Sequence, residues 1–284
     1  MNRFQTIEQL QGYLSAVKST GKKVGFVPTM GALHPGHASL IARAREVCDE
    51  AVVSIFVNPT QFNNREDFET YPLTLKADLE MAEKAGATTI FTPTVDELYG
   101  GNLAVVPVDY GRLTSSYEGE RRKGHFDGVV AVVRKLFAAV DADRAFFGEK
   151  DLQQLAVIRR LARDEFTHLE IIGCPLIREQ DGLAMSSRNV RLIGKARQDA
   201  LVLHSWLKHV KDTACAQGDI HASLRAIESE ASKMEGVELE YIDVVDASTF
   251  EPLICGSAEK KTFAIVAAQV GGVRLIDNFA LACS

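Results

Sequence analysis

Hydrophobic positions near the start of the chain follow a helical period, and further on they merge into unbroken apolar runs. Ile7, Leu10, Leu14 and Val17 repeat at helical spacing over residues 6–19, with Thr6 and Glu8 as a start signal and Gly21 as a stop. An apolar run at 24–27 leads into Pro28, Thr29, Met30 and Gly31, then His34-Pro35-Gly36-His37. A second helical pattern runs from Ala38 to about Cys48, with Leu40, Ile41, Ala44 and Val47 facing inward. Residues 51–57 are apolar without alternation, as in a strand covered on both faces. These pieces predict a β-α-β unit whose crossover is right-handed. The polar break Asn58-Pro59-Thr60-Gln61-Phe62 closes it. Residues 63–72 carry no strong period and read as a mobile flap over a site or a surface loop.

The alternation continues with a helix around Leu75, Leu79, Met81 and Ala82, a short strand at 89–92 and an apolar segment at 105–108. A helix at 129–140, a strand at 144–147, a helix at 152–161 and a strand at 169–173 follow. Beyond residue 176 the texture changes: a polar loop at 181–189, helices at about 195–216 and 220–233, and strand-like runs at 238–245, 261–268 and 273–277. The expected class is α/β. Residues 1–176 form a Rossmann-like parallel-sheet domain, and residues 177–284 a smaller α+β domain of helices on an antiparallel sheet. There is no internal repeat and no low-complexity tract.

Composition narrows the function classes. The chain has 284 residues, 46% of them hydrophobic and 25% charged, which is ordinary for a globular protein with a sizeable core. A formal net charge of −6 argues against a broad nucleic-acid surface while leaving room for a local basic pocket. No run approaches the roughly 20 apolar residues of a membrane span. The N-terminus lacks the apolar core of a signal peptide, so a cytoplasmic location is expected. Five scattered cysteines (Cys48, Cys174, Cys215, Cys255, Cys283) without paired spacing read as reduced, mostly buried thiols, none in a catalytic setting.

In open parallel sheets ligands bind outside the carboxyl ends of the strands, so candidate chemistry is sought there. His34 and His37 stand where a strand turns into a helix, and the unpaired N–H groups of a first helical turn attract phosphate. Two imidazoles three residues apart can donate from one side of that turn, although a zinc fragment or two helix-capping residues would read the same way. Asn58 and Gln61 sit at the end of the next strand, or Asn58 simply caps a turn. The cluster Arg121, Arg122, Lys123 and His125 is a solvated face or an anion-facing loop. Val129, Val132 and Val133 share a face as core or as the wall of a small apolar pocket. Gly148-Glu149-Lys150-Asp151 repeats the strand–turn–helix pattern, with Lys150 as a point charge for phosphate and Asp151 as a cap or ribose ligand. Gln153 and Gln154 open the following helix, and one of them must face the crevice. The loop 181–189 is rich in small hydroxyls with one cation, Arg188, and suits a triphosphate or an ordinary interdomain connection.

Six strings stand in order: VPTMGALHPGH, VSIFVNPTQF, EGERRKGHFDGV, FFGEKDLQQL, DGLAMSSRN and RLIDN, between residues 27 and 278. As a set they resemble the pantoate–β-alanine ligases (pantothenate synthetases), within the superfamily of H-x-G-H nucleotidylyl transferases. The resemblance implies a Rossmann-like domain that holds ATP and a smaller C-terminal lid. It implies that ATP and (R)-pantoate form an enzyme-bound pantoyl adenylate and pyrophosphate, and that β-alanine then gives pantothenate and AMP. His34, His37 and Lys150 would be catalytic. Met30, Gly31, Ala32, Leu33, Pro35 and Gly36 would join the two histidines against ATP, with Gly148, Glu149 and Asp151 at ribose and phosphate. Ser186, Ser187 and Arg188 would grip the triphosphate beside Met185, where related synthetases carry a K-M-S-K-S loop, and the Ile177 backbone would meet adenine. Gln61 and Gln154 would hold pantoate, with Asn58 in the same strand-end motif. Mg²⁺ accompanies ATP in the family, no tightly bound organic cofactor is implied, and members are usually homodimers. Asp78 is a candidate Mg²⁺ contact. Lys123 replaces a proline common in the family, which leaves that loop less rigid.

Three other readings are weighed against it. Another H-x-G-H nucleotidylyl transferase would want basic residues for an acceptor phosphate, where Asn58, Gln61 and Gln154 offer neutral amides. A non-catalytic nucleotide sensor would not need both phosphate-gripping loops. A class I tRNA synthetase fits less well, because the chain is acidic and has no anticodon-binding appendage.

Overall fold

The structure is a computed structural model that describes residues 1–63, 65–216, 218–253 and 261–281. It divides into two compact units, Met1–Glu149 with Val157–Pro175, and Lys150–Ala156 with Leu176–Ser284.

The first unit opens with β1 (Asn2–Phe4), α1 (Ile7–Ser19), β2 (Val24–Thr29), α2 (Pro35–Val47) and β3 (Glu50–Ile55). A short 3-10 turn at Pro59–Gln61 leads to α3 (Arg65–Glu69), α4 (Leu75–Lys84), β4 (Thr89–Phe91) and α5 (Val95–Tyr99). Then come α6 (Arg112–Ser115), α7 (Glu118–Arg121), α8 (His125–Val140) and β5 (Arg144–Gly148). After a 3-10 turn at Glu149–Asp151, α9 (Leu152–Glu165) and β6 (Glu170–Cys174) complete the sheet, and the division between units passes through α9. All six strands are parallel in the order β1-β4-β3-β2-β5-β6. From β2 the chain steps to β3 on one side and returns to β5 on the other, so the switch point lies at the carboxyl ends of β2 and β5. Val27, Ile41, Val53, Ile90 and Phe146 are fully buried under the helices. Val129, Val132 and Val133 of α8 are buried too, so that face is core.

The second unit adds α10 (Gly194–Asp199), α11 (Val202–Cys215), α12 (Ile220–Ala231), β7 (Val237–Asp246), β8 (Thr262–Val270) and β9 (Val273–Ala280). The three strands form an antiparallel sheet, β7-β8-β9. Leu203, Trp206 and Leu207 of α11 and Ile227 of α12 pack with Val244, Val266 and Val270 of the sheet into one core.

Several elements depart from the hydrophobic pattern for local reasons. Helix α2 starts at Pro35, three residues before the apolar period, because His34 caps it and proline suits the first helical position. Helix α8 starts at His125, where Gly124 takes a left-handed φ of +79° ahead of a polar first turn. Within 195–216 the chain breaks into α10 and α11, with fully buried Ala200 at the break, so the apolar period runs on unaltered. The flap or loop expected at 63–72 contains α3, tied by Arg65 to Glu69 at 2.6 Å; Asn64 lies outside the described residues. Residues 105–108 form no strand, and Val106 is 76% exposed. Strand β1 and helix α5 are too short for a periodicity reading.

The cysteines divide. Cys48 and Cys174 are free and buried, and burial raises both thiols, Cys174 to about 11, so neither is a thiolate at neutral pH. Cys215, at the exposed end of α11, is disulfide-bonded, which corrects the reading of a reduced thiol there. Spacing could not show this, because partners meet through the fold. Cys255 and Cys283 lie outside the described residues. No helix among the described residues is long and apolar enough to cross a membrane.

Candidate active site

At the end of β2 the chain must turn sharply into α2. Gly31 takes a φ of +84°, and a Cβ there would lie 3.0 Å from Asp78 Oδ2 and 3.2 Å from Ile55 Cγ2. Ala32 is also left-handed, at a φ of +48°. What holds it there is Asp78, only 2% exposed, whose carboxylate accepts from the N–H groups of Ala32 (3.1 Å) and Leu33 (2.7 Å) and from Thr74 Oγ1 (3.1 Å). The candidate Mg²⁺ contact is therefore the anchor of this loop, with both oxygens engaged.

His34 and His37 use their rings to start the helix. The Gly36 N–H donates to His34 Nδ1 at 3.1 Å, and the His34 N–H donates to His37 Nδ1 at 3.3 Å, a reciprocal capping box. A ring nitrogen that accepts cannot carry the proton, so both neutral imidazoles hold theirs on Nε2. The rings lie 4.2 Å apart between centroids. Capping therefore occupies one nitrogen of each ring.

At the end of β3, Asn58 is 1% exposed and turned into the protein. Its Oδ1 accepts from the Tyr99 hydroxyl (2.8 Å), Thr60 Oγ1 (3.0 Å) and the Thr60 N–H (3.3 Å). Its Nδ2 donates to Gln61 Oε1 and to the Gly128 carbonyl, each at 3.1 Å. Burial pushes the Tyr99 phenol up, which keeps it a donor. With its amide hydrogens and its oxygen all engaged, Asn58 holds Gln61 in place. Gln61 directs its Nε2 toward Met30 Sδ at 2.9 Å, so Met30 and Gln61 meet at the ends of β2 and β3.

Helix α8 closes this corner. A Cβ on Gly128 would collide with the Thr60 carbonyl and sit 2.7 Å from Gln61 Cα, so only glycine lets the helix approach. His125 Nδ1 donates to the Gln61 carbonyl at 2.9 Å, while its Nε2 accepts from Arg122 Nη1 at 3.0 Å. Arg122 also lies 3.6 Å from Glu118. Of the basic cluster, Arg122 and His125 therefore point inward to the Gln61 turn, while Arg121 and Lys123 are exposed. Gly148 and Glu149 stand at the end of β5, beside β2.

The second unit carries the other predicted residues. Lys150 Nζ lies 3.9 Å from Asp151, and the Lys150 carbonyl accepts from Asn278 Nδ2 at 3.0 Å. Gln153 is buried and Gln154 is half-buried. Residues 177–185 double back, with the Met185 N–H donating to the Ile177 carbonyl at 3.0 Å and Arg178 bridged to Ala184. Ser186 then caps a 3-10 turn, Ser187–Arg191, its Oγ accepting from the Arg188 N–H at 3.3 Å. Glu179 braces the loop by accepting from Asn189 Nδ2 and Arg197 Nη2, both at 2.7 Å.

Residue types alone did not show Tyr99, the inward turn of Arg122 and His125, or the roles of Asp78, Asp277 and Asn278. Many of the partners that fix them lie far away in sequence, 41 residues for Tyr99 and Asn58 and 128 for Asn278 and Lys150, although Arg122 meets His125 only three residues on. The only signal was that RLIDN and EGERRKGHFDGV belong to a recognisable set.

A family model described as pantoate-beta-alanine ligase matches residues 2–280. The chain is 45% identical to a pantothenate synthetase of Bacteroides fragilis over 278 residues, 98% of each chain. It is 43% identical to that of Thermotoga petrophila, covering 98% of this chain and 99% of the other. Among solved structures, a pantothenate synthetase from Thermus thermophilus superposes with a TM-score of 0.92 at 40% identity over 100% of both chains. The pantoate-beta-alanine ligase from Francisella tularensis, complexed with beta-gamma ATP and beta-alanine, gives a TM-score of 0.81 at 34% identity, covering 100% of this chain and 99% of the other.

Proposed function

The chain belongs to the pantoate-beta-alanine ligase family, and on that premise we propose that it condenses (R)-pantoate with β-alanine at the expense of ATP. The products are pantothenate, AMP and pyrophosphate. The observation that carries the site assignment is the reciprocal cap at the head of α2, which leaves the ring protons of His34 and His37 on Nε2 at the positive end of a helix.

A carboxylate is a poor acyl donor and has to be activated first. A pantoate oxygen attacks the α-phosphorus of ATP, the bond to the β-phosphate breaks, and pyrophosphate leaves. The β-alanine amine then attacks the acyl carbon, AMP leaves with the bridging oxygen, and the amine proton passes to solvent. His34 and His37 donate to the phosphate oxygens where charge gathers, and Lys150 adds a fixed positive charge. Met30 through Gly36 and Gly148 through Asp151 line the nucleotide, Ile177 meets adenine with its backbone, and Met185 through Arg188 hold the triphosphate. Gln61 and Gln154 orient pantoate through neutral amides that take no proton from it, and Asn58 acts by fixing Gln61. No enzyme nucleophile is needed, in keeping with the raised thiols of Cys48 and Cys174.

Among the described residues no group of three or more His, Cys, Asp or Glu side chains could hold a metal ion, and Asp78 is engaged by backbone N–H groups. Mg²⁺ is proposed to arrive with the nucleotide on its own phosphates, as the ion is commonly bound. A cytoplasmic homodimer is the assembly proposed.

Pantoate-dependent ATP–pyrophosphate exchange without amine tests the reading. His37→Ala and Lys150→Ala should fold normally and lose exchange by roughly 10²–10³-fold, the usual effect of removing one transition-state donor. Near-normal exchange in either variant would count against it.

A further inference from the structure

Two consecutive residues of β9, Asp277 and Asn278, are 4% and 5% exposed. Buried polar side chains are costly unless paired, and neighbouring strand residues face opposite sides, so each has to find a different partner. Asp277 receives Arg178 in two hydrogen bonds, at 2.7 and 3.0 Å. Arg178 also donates to the carbonyls of Gly182 (2.9 Å) and Asn278 (3.0 Å), and lies over the Phe279 ring at 4.7 Å. This fastens the base of the loop that carries Ser186–Arg188. On the other side Asn278 Nδ2 donates to the Lys150 carbonyl at 3.0 Å.

One strand end therefore grips both segments that bear cations and hydroxyls for a polyanion. The grip on Lys150 is on its backbone, so it sets where the side chain starts without occupying the ammonium. The residues Lys150–Ala156 cluster with the C-terminal unit, although the sequence inserts them between β5 and the rest of α9. The Asn278 bond is a physical reason for that membership.

We propose that Asp277 and Asn278 are a positioning pair for the adenylation step, holding the Lys150 turn and the Ser186–Arg188 loop in one preset arrangement toward the nucleotide phosphates. The proposal rests on the reading of Lys150 as a phosphate ligand. Neither residue touches substrate; Asn278 acts through Lys150.

Asp277 is a poor place to test this, because its removal strands a half-buried guanidinium and endangers folding. Asn278→Ala removes the donor, and Asn278→Asp keeps the size while setting an acceptor against the Lys150 carbonyl. Both are made in the full chain, so that one remains if the other does not fold. Each should lower kcat for pantoate-dependent ATP–pyrophosphate exchange by about 10- to 100-fold, as misplacement of a catalytic group does, with KM for pantoate little changed. The deciding readout is the double variant. Lys150→Ala with Asn278→Ala should be no slower than Lys150→Ala alone, because the two act as one unit. A merely structural role would leave the losses multiplying, and that result would overturn the proposal. A slow Lys150→Ala beside normal Asn278 variants would overturn it while leaving the site reading intact. A normal Lys150→Ala would overturn both.

Discussion

At His34 and His37 one imidazole can serve both the helix and a ligand, because its two nitrogens take opposite hydrogen-bonding roles once one carries the proton. The capping bonds at 3.1 and 3.3 Å occupy Nδ1 in each ring and so put the proton of the neutral ring on Nε2. Asp78 has a comparable supporting role, a layer further back. It compensates Ala32 for a left-handed conformation that an L-residue takes at a cost. Asp78→Ala would leave the Ala32 and Leu33 N–H groups without their acceptor, at about 1–3 kcal/mol for each group that stays buried and unpaired. The expected outcome is a lowered kcat/KM for ATP, by roughly 10- to 100-fold as the loop shifts, with a smaller effect on pantoate. Steady-state kinetics with each substrate varied in turn would check this, and unaltered ATP kinetics would refute it.

Among the elements, α8 fits closely against the Pro59–Gln61 turn, where Gly128 leaves no room for a methyl group. Gly128→Ala should push the turn and helix apart and destabilise the fold by about 1–3 kcal/mol, as overpacking does. Urea unfolding measures that directly, and pantoate KM should rise along with it because Gln61 rides on the turn. Stability equal to the unaltered chain would show that the contact is loose. At the opposite, amino ends of β2 and β5, Asp143 accepts from the Val24 N–H at 2.9 Å and Lys23 Nζ at 2.7 Å. Burial alone would raise its pKa, but the hydrogen bonds from Lys23 and Val24 outweigh it and hold the carboxyl below the usual range. A lowered folded pKa means the stabilisation is complete above the unfolded value of about 4 and fades as pH falls through the folded one. Asp143→Asn should therefore be less stable by about 1 kcal/mol at pH 7. In urea titrations the difference should close below about pH 4, and a gap unchanged at pH 3 would contradict the linkage.

For the whole molecule, the stretch around Leu103 (44%) and Val106 (76%) is exposed and apolar, and its burial against a second copy is a prediction that goes with the proposed homodimer. This stretch pairs with no strand among the described residues. If the proposed homodimer forms through it, Leu103→Asp with Val106→Asp should give a monomer in sedimentation velocity, with the fold retained by circular dichroism. A dimer that survives both charges would place the interface elsewhere. The acidic balance of −6 sets no obstacle to binding a polyanion, since the local cations Lys150 and Arg188 lie within segments that the second unit braces.

Apolar periodicity determined the class of the fold: unbroken runs became the buried parallel strands, and helical spacing became α1, α2 and α9, because burial acts on each element through its own repeat. The ordered motifs likewise placed His34, Gln61, Lys150 and Arg188 at turns and loops. Hydrogen bonds across the chain were decided only by tertiary structure. Nothing near Asp78 in sequence tells that it anchors Ala32, and nothing near Asn278 tells that it grips Lys150, 128 residues away. A buried polar side chain has to be satisfied by whatever the fold brings within about 3 Å, and that neighbour is set by topology rather than by spacing along the chain.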